Sequence, residues 1–567
     1  MRCFHGCRIG VLCLLLSLTT GAGASLRTEL MDSVTVLRGA DDFATAAAHL
    51  QAWVAGHPAD GDAHLLLGQI LADGGDGAVA ERVWSNLLQG RAVDVERYRD
   101  VARRLQALNR IEAAQQTLQE GAERLGGSDP FAWQRAELLL ANGDFRGAVA
   151  AHQTFLRQEP HRRPLVENRI AAMAGADVVA GSTGTSAARQ YCTALEAATT
   201  GAPERERTTL VLLQANCWLA TGDAATGLQV LLDAEGSDDT VLQALFQYGS
   251  RCEASGYADV AARAYGAFAR HGAGSPYLSQ ARRKEAQMLA LAGDTDAALS
   301  RYVELSAGNN RDAFDALLHV AELQAQVLGN PAAALATLEI PGATILNAEL
   351  QARLLALRAD CRLRLDDLDG AAAEWRHLAD DPASRGNAEF GLAEIAFFAA
   401  RFDAAAAYID SLVLRQPTHA LANDALALLL LIDEFAEEGN ALAVFARARL
   451  RERQGRTDEA RRERAWLRTE APVGLRHVSL LESAALMEQD RPAAALELYA
   501  QVTADKPEER HAVSAALGSA RLQEALGQPQ AALRTYESAV LQAPLDPRTP
   551  DIRRHIARLR ALLGGTG

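Results

Sequence analysis

The chain has 567 residues, of which 49% are hydrophobic and only 5% aromatic, and its formal net charge is −15. This hydrophobic content excludes a chain that is disordered by composition, and the acidic balance excludes the basic footprint of a nucleic-acid-binding protein. Alanine dominates the apolar residues. Because alanine favours helices and lets them approach closely, an all-α fold is expected.

Residues 1–24 have the three-part pattern of a secretory signal peptide. A short positive start leads into an apolar run over residues 9–18, and Ala22 and Ala24 form an A-x-A cleavage site before Ser25. The apolar run is about half the length that a transmembrane helix needs, although an uncleaved anchor remains the alternative. The sequence therefore predicts an exported protein, periplasmic or secreted, cleaved after Ala24 and without a stable membrane span thereafter.

A 34-residue period runs along most of the remaining chain. Four abutting windows cover residues 27–162, and the first of them begins at Arg27. Nine more windows begin at positions from Thr208 to Val513. Only a small side chain fits where two packed helices cross, and the twentieth place of the thirteen windows meets that need. It is held by Ala46, Ala80, Ala114, Ala148, Gly227, Ala261, Ala298, Ala334, Ala371, Ala405, Ala460, Ala495 and Ala532.

Two other places in the window support the same packing. The eighth place is mostly small, as at Gly68, Ala102, Ala136, Ala393 and Ala520. The twenty-fourth place is usually large, as at Trp84, Tyr265, Tyr302, Trp375, Tyr499 and Tyr536. A proline near the end of six windows stops the second helix.

This spacing resembles the tetratricopeptide repeat (TPR), which has two antiparallel helices per 34 residues. The resemblance covers almost all of residues 27–546, although the tryptophan of the family's fourth place is mostly missing. It implies an α-solenoid, a right-handed superhelix of about 13–14 helix-turn-helix repeats. The segment Asn387–Ile432 also resembles part of the bacterial TPR proteins of the cell envelope.

Two stretches break the period. Residues 163–207 predict an irregular helix pair with a Gly/Ser/Thr-rich loop over Ala174–Ser186, and residues 420–440 predict an extra apolar helix. Around them lie three arrays, over residues 25–162, 208–419 and 441–567. The last array ends in a helix opened by Thr549, which is expected to cap the solenoid.

Four cysteines follow the predicted signal peptide: Cys192, Cys217, Cys252 and Cys361. None forms a C-x-x-C pair, which argues against a zinc ribbon or a thioredoxin-like site. An exported protein can oxidise such cysteines to disulfides. The preferred interpretation is that all four are small buried hydrophobic residues.

No motif for catalysis, metal or phosphate binding is found. The glycine-rich run Gly74–Gly77 falls on a turn between helices, and Asp367–Gly370 lacks the first and last ligands of a calcium loop. His49, His57 and His64 are close in sequence, but they are expected on different helices or helix ends. The sequence predicts no cofactor, no metal and no enzymatic activity.

The resemblance also implies a binding surface. In tetratricopeptide arrays the first helix of each pair lines the concave face, and its second, fifth, ninth and twelfth places point into the groove. The groove residues implied here are Arg99, Arg103, Trp133, Glu137, Phe246, Asp360, Phe390, Glu394 and Phe397. We expect Phe390 and Phe397 to be partly exposed, and the alternative is that such aromatics fill gaps between repeats.

The family's basic and asparagine set that clamps a peptide carboxylate is absent. Asn216 holds one ninth place, but Leu212 replaces the basic residue before it. The sequence thus predicts a non-catalytic scaffold of the bacterial cell envelope that binds a protein or peptide partner and no nucleic acid. The alternative is a structural or polysaccharide-export scaffold, and an enzyme ranks third.

Overall fold

The computed structural model describes residues 26–90, 93–179, 186–234, 239–272, 274–308, 310–339, 347–505 and 508–564. In these residues every regular element is a helix, which confirms the predicted all-α class. The predicted signal peptide lies outside the described residues. The chain divides into two compact units, Met1–Ala292 and Gly293–Gly567, and each unit is described by itself.

The first unit begins with α1, over residues 26–39. It continues with α2 (Phe43–Gly56), α3 (Gly61–Asp73), α4 (Gly77–Leu88), α5 (Val95–Ala107), α6 (Ile111–Leu125), α7 (Ala132–Ala141), α8 (Phe145–Gln158), α9 (Arg163–Val179), α10 (Ala187–Thr200), α11 (Glu204–Ala220), α12 (Ala224–Asp233), α13 (Asp239–Ala254), α14 (Ala258–His271) and α15 (Leu278–Leu291).

The second unit begins with α16 (Thr295–Ser306). It continues with α17 (Arg311–Glu322), α18 (Pro331–Thr337), α19 (Ala348–Arg364), α20 (Leu368–Ala379), α21 (Arg385–Phe398), α22 (Phe402–Arg415), α23 (Ala422–Glu434), α24 (Gly439–Arg453), α25 (Thr457–Glu470), α26 (Val473–Met487), α27 (Pro492–Ala504), α28 (Glu509–Ala525), α29 (Pro529–Gln542) and α30 (Thr549–Gly564).

Consecutive helices pack as helix-turn-helix pairs, for example α3 with α4 and α21 with α22. The turn inside a pair has a repeated chemistry. Gly143 and Gly222 adopt positive φ angles of 75° and 84°, where glycine has no steric cost. The aspartate that follows each glycine, Asp144 or Asp223, caps the second helix by accepting a backbone N–H three residues on. These local choices stop one helix and start the next.

The small twentieth place lies at the helix crossing, as the period predicted. All twelve alanines there are at most 3% exposed. The exception is Gly227, where an added Cβ would overlap the hydroxyl of Tyr248. Tyr248 uses that hydroxyl to donate to the carbonyl of Ala224 at 2.9 Å, so glycine leaves the room that this hydrogen bond occupies.

The eighth and twenty-fourth places pack on each other within a repeat. A Cβ at Gly68 would overlap the indole of Trp84, and one at Gly249 would lie 3.0 Å from the Tyr265 ring. Trp84 is fully buried and donates its indole N–H to the carbonyl of Leu65 at 3.2 Å. The pairing of a small residue with a large one therefore fills each pair to the density of a protein interior.

Two sequence expectations need correction. The predicted loop over Ala174–Ser186 begins too early, because α9 remains helical to Val179; residues 180–185 lie outside the described part. The preferred interpretation of the four cysteines as small buried hydrophobic residues is correct for their burial but misses the disulfide that Cys192 and Cys217 form between α10 and α11, with their Cα atoms 5.8 Å apart. Adjacent packing of these two helices brings the cysteines together, and no sequence motif marks that contact.

The other two cysteines are free and buried, as the preferred interpretation held. Burial raises the pKa of the Cys252 thiol to about 12 and that of Cys361 to about 11. Both thiols are therefore protonated and unreactive near neutral pH.

Candidate binding surface

In each unit the first helices of several successive pairs contact one another, and we refer to them as a row. Contacts join α11 to α13 in the first unit, and α17 to α19, α21 to α24 and α26 to α28 in the second. Some side chains on this row also reach a helix two pairs further along. We call the side of this row that carries these contacts the inner face of its unit.

One such contact in the first unit centres on the carboxylate of Glu167, on α9. It accepts from the Asn216 amide on α11 at 2.8 Å and from the Arg251 guanidinium on α13 at 3.2 Å. Arg163, one turn earlier on α9, lies 3.0 Å from the same carboxylate. The Glu167 side chain is only 9% exposed, and these donors compensate for its burial. Asn216, which holds one ninth place of the repeat, therefore donates its hydrogen bond to this chain's own carboxylate.

Arg99 and Arg103 lie one turn apart on α5. Arg99 donates to Glu96 at 2.7 Å and to the carbonyl of Pro130 at 3.0 Å, so it ties α5 to the start of the next pair. Arg103 is 71% exposed and makes one long contact, 3.4 Å, to Asp100. Arg103 is therefore available to a partner, whereas Arg99 is engaged within the chain.

Trp133 and Glu137 lie one turn apart on α7. The Trp133 ring is half-buried, 5.4 Å from the rings of His152 and Phe155. Glu137 pairs with Arg169 on α9 at 2.9 Å. The tryptophan thus presents one face beside an ion pair, the composition that interface hot spots favour.

Sequence reasoning missed the polar pair beneath Trp133. His152 is 1% exposed, and its Nδ1 lies 2.7 Å from the hydroxyl of Tyr191, while its Nε2 has no hydrogen-bond partner. Burial, with a smaller effect of Arg169, lowers the pKa of His152 to about 4. In the sequence this site shows only as a single histidine within an apolar helix. That pattern does not distinguish a buried, hydrogen-bonded histidine from an exposed one.

Phe246, on α13, is half-buried and surrounded by rings. Its centroid lies 5.4 Å from Tyr265, 5.3 Å from Phe268 and 5.5 Å from Tyr277. Tyr277 is 53% exposed, so Phe246 and Tyr277 form an aromatic surface at the edge of the inner face. The sequence left two alternatives for such aromatics, an exposed groove residue or a filler between repeats. Phe246 meets both, because it fills a gap between repeats and remains partly accessible.

The second unit brings Asp360 and Glu394 together around one arginine. Arg453, on α24, lies 3.3 Å from Asp360 on α19 and 3.9 Å from Glu394 on α21. Arg364 also contacts Asp360, at 2.7 Å. Burial raises the pKa of the Glu394 carboxyl, while the charges of Arg453 and Arg449 oppose that rise. Both predicted carboxylates are thus paired with this chain's own arginines.

The expectation that Phe390 and Phe397 share an exposed face is wrong for Phe397. Phe397 is 1% exposed and packs against Phe398, Phe402 and the guanidinium of Arg449, which lies 5.7 Å from its ring centre. Phe390 is half-buried against the same core. The reason is that α24 lies on α21 and covers the twelfth place of that helix.

Within the described part of the chain, no group of three or more histidine, cysteine, aspartate or glutamate side chains is placed to hold a metal ion. No described helix is both long enough and apolar enough to span a bilayer.

No family model matches the chain, and no curated protein matches it. Similar solved structures include Naa15/Naa10 bound to HypK-THB, at 14% identity and a TM-score of 0.24, with 95% of this chain and 96% of that chain covered. A tetratricopeptide repeat protein from Parabacteroides merdae shares 14% identity at a TM-score of 0.28, with 56% and 98% covered. The P58(IPK) TPR domain shares 15% identity at a TM-score of 0.18, with 70% and 99% covered. Independently of these likenesses, the chain's own helix pairs, with small residues at their crossings, make it an all-α solenoid of tetratricopeptide-like repeats.

Proposed function

We propose that the chain is a non-catalytic scaffold that binds a protein or peptide along the inner face of its first helices. The observation that carries this proposal is the composition of that face in the first unit. Half-buried Trp133 and Phe246, exposed Tyr277 and the exposed guanidinium of Arg103 lie on its helices or at its edge. Aromatic residues and arginine contribute most of the binding energy in protein interfaces.

We further propose that this scaffold acts in the bacterial cell envelope. The pattern of residues 1–24 supports export. The Cys192–Cys217 disulfide adds an independent argument, because structural disulfides persist mainly in oxidising compartments such as the periplasm.

Site-specific photo-crosslinking tests the binding face. A benzophenone amino acid placed at Arg103, on the inner helix α5, is expected to crosslink a partner in an envelope extract. The matched control is the same residue at exposed Glu112, on the second helix α6 of the same pair. Crosslinking from both positions, or from neither, would contradict binding along the first helices.

A tryptophan substitution then separates recognition from folding. Trp133→Ala is expected to weaken partner capture by about 2 kcal/mol or more if Trp133 is a hot spot. Circular dichroism melting of the same variant measures the stability that the half-buried ring contributes. Undiminished capture by a folded Trp133→Ala protein would remove this residue from the binding surface.

A further inference from the structure

A cluster of charges in the second unit joins α19 to α24, and we call it the second-unit bridge: Asp360, Asp366, Arg451, Arg453, Gln454 and Arg456. Asp366 accepts from Arg451 at 3.1 Å, from Gln454 at 2.9 Å and from Arg456 at 3.2 Å. Arg453 contacts Asp360 at 3.3 Å, and the Gln454 amide also donates to the carbonyl of Leu363 at 3.0 Å. Gln454 and the guanidiniums hold the pKa of Asp366 below its ordinary value, so the carboxylate is charged near neutral pH.

The bridge skips a helix pair. The pair α21–α22 lies between α19–α20 and α24–α25 along the array, and α24 already packs on α21 through a shared apolar core that includes Phe445. In a repeat array the contacts between neighbours supply the stability, so a contact between next-nearest pairs is not needed to hold the helices folded. The Glu167 contacts in the first unit have the same geometry, since Arg251 reaches from α13 to α9.

The bridge is also made of weak, accessible contacts. The side chains of Arg451, Asp366 and Arg453 are 21%, 39% and 46% exposed. Partly exposed ion pairs contribute little to stability and are screened by salt. The charges that face the bridge, Glu459 on Arg451 and Arg364 on Asp360, remain as partners for the same groups when the two helices separate.

We propose that the second-unit bridge is a latch that closes the inner face between α19 and α24 in the free protein. Closed, it occupies Asp360 and holds Arg453 over Glu394, so two of the inner-face carboxylates are withheld from a partner. Open, it exposes these carboxylates on α19 and α21 and the guanidiniums of α24 on the opposite side. The claim that the latch controls a partner's access rests on the proposed function. The claim that α19 and α24 separate does not.

Distance measurement by pulsed electron–electron resonance tests the opening. Nitroxide labels at Asp369→Cys on α20 and Asp458→Cys on α25 report on the two ends of the bridge, and both positions are exposed. Among the residues that the structure describes, the free cysteines Cys252 and Cys361 are buried and do not compete for label. Asp360→Asn/Asp366→Asn removes the charges and keeps the side-chain shapes; asparagine also tolerates the positive φ of 69° at Asp366.

We expect the label distance to lengthen and broaden in Asp360→Asn/Asp366→Asn, and in the unmodified bridge at about 1 M salt, where the screening length falls to about 3 Å. Asp403→Asn, an exposed carboxylate on α22 outside the bridge, is the matched control and should leave the distance unchanged. Superimposable distributions for the bridge variant and the unmodified bridge would overturn the latch. A longer distance accompanied by lost helical circular dichroism would also overturn it, because the charges would then hold the fold itself. If the label distance changes as expected but Arg103 does not crosslink a partner, the proposed function is contradicted and the latch is not.

Discussion

At the scale of single residues, Phe397 shows that the place of a residue in the repeat does not determine whether its side chain is exposed. Its place in the window is a groove place, yet its ring is 1% exposed beneath Arg449. Truncation of such a ring leaves a cavity that the surrounding helices fill only in part. His152 is a second such residue, because its buried ring has one nitrogen without a hydrogen-bond partner.

We expect Phe397→Ala to lower the free energy of unfolding by about 3–5 kcal/mol, the range for buried phenylalanines. Leu414→Ala on α22 is the matched control, since Leu414 is 83% exposed and should change stability by less than about 0.5 kcal/mol. Denaturant melts of the two variants make the comparison. Equal midpoints would mean that Phe397 is accessible after all.

His152 predicts a pH dependence of stability. Its pKa is about 4 in the folded chain and 6.5 when unperturbed, so between these values only the unfolded chain takes up the proton. Stability therefore falls as the pH drops from about 6.5 to about 4, by about 3 kcal/mol in all. His152→Gln keeps a side chain that can hydrogen-bond to Tyr191 but has no titrating group, and it should flatten this part of the pH profile. His161→Gln changes an exposed histidine nearby and is the control; a profile that His152→Gln leaves unaltered would contradict the assignment.

At the scale of elements, the helix pair depends on the small residue at its crossing. Ala148 and Ala405 are both 0% exposed, and each lies on the second helix of its pair. Extra methylenes at such a position force the two helices apart or push side chains off their preferred rotamers. On α22 the neighbouring Ala404 is exposed instead.

Ala405→Leu and Ala148→Leu are each expected to cost about 1–3 kcal/mol of stability. Ala404→Leu, at the exposed neighbouring position on α22, is the matched control and should be nearly neutral. Hydrogen exchange should place the loss first in the helices around the substituted pair, because each repeat touches mainly its neighbours. If Ala404→Leu proves as costly as Ala405→Leu, the repeat register assigned to α22 is incorrect.

At the scale of the whole molecule, the sequence predicts the features that recur in every repeat. It does not predict contacts that occur only once. The helix pairs and their crossings follow from the spacing of small and large residues, because close packing leaves that pattern in every repeat. The Glu167 contacts and the second-unit bridge leave no such pattern. They join residues up to 93 apart, as between Asp360 and Arg453, and so lie outside any one window. The buried state of Phe397 has the same origin, since α24 lies across α21 after the inserted helix α23.

Export is a property of the whole chain and gives a prediction of its own. Mass spectrometry of the protein from its native source is expected to show Ser25 as the first residue, because the A-x-A pattern ends at Ala24. Fractionation should recover this form with the cell envelope or the medium. Protein that begins at Met1 and fractionates with the cytosol would contradict the envelope assignment.

The disulfide between α10 and α11 also determines how the chain behaves when it is cut. Gly201–Pro203 connect the two helices and lie between the paired cysteines. A protease that cleaves this connection produces two polypeptides that one covalent bond still holds together. On a denaturing gel such a nicked protein keeps the mass of the intact chain without a reductant, and it separates into two bands when a thiol is added.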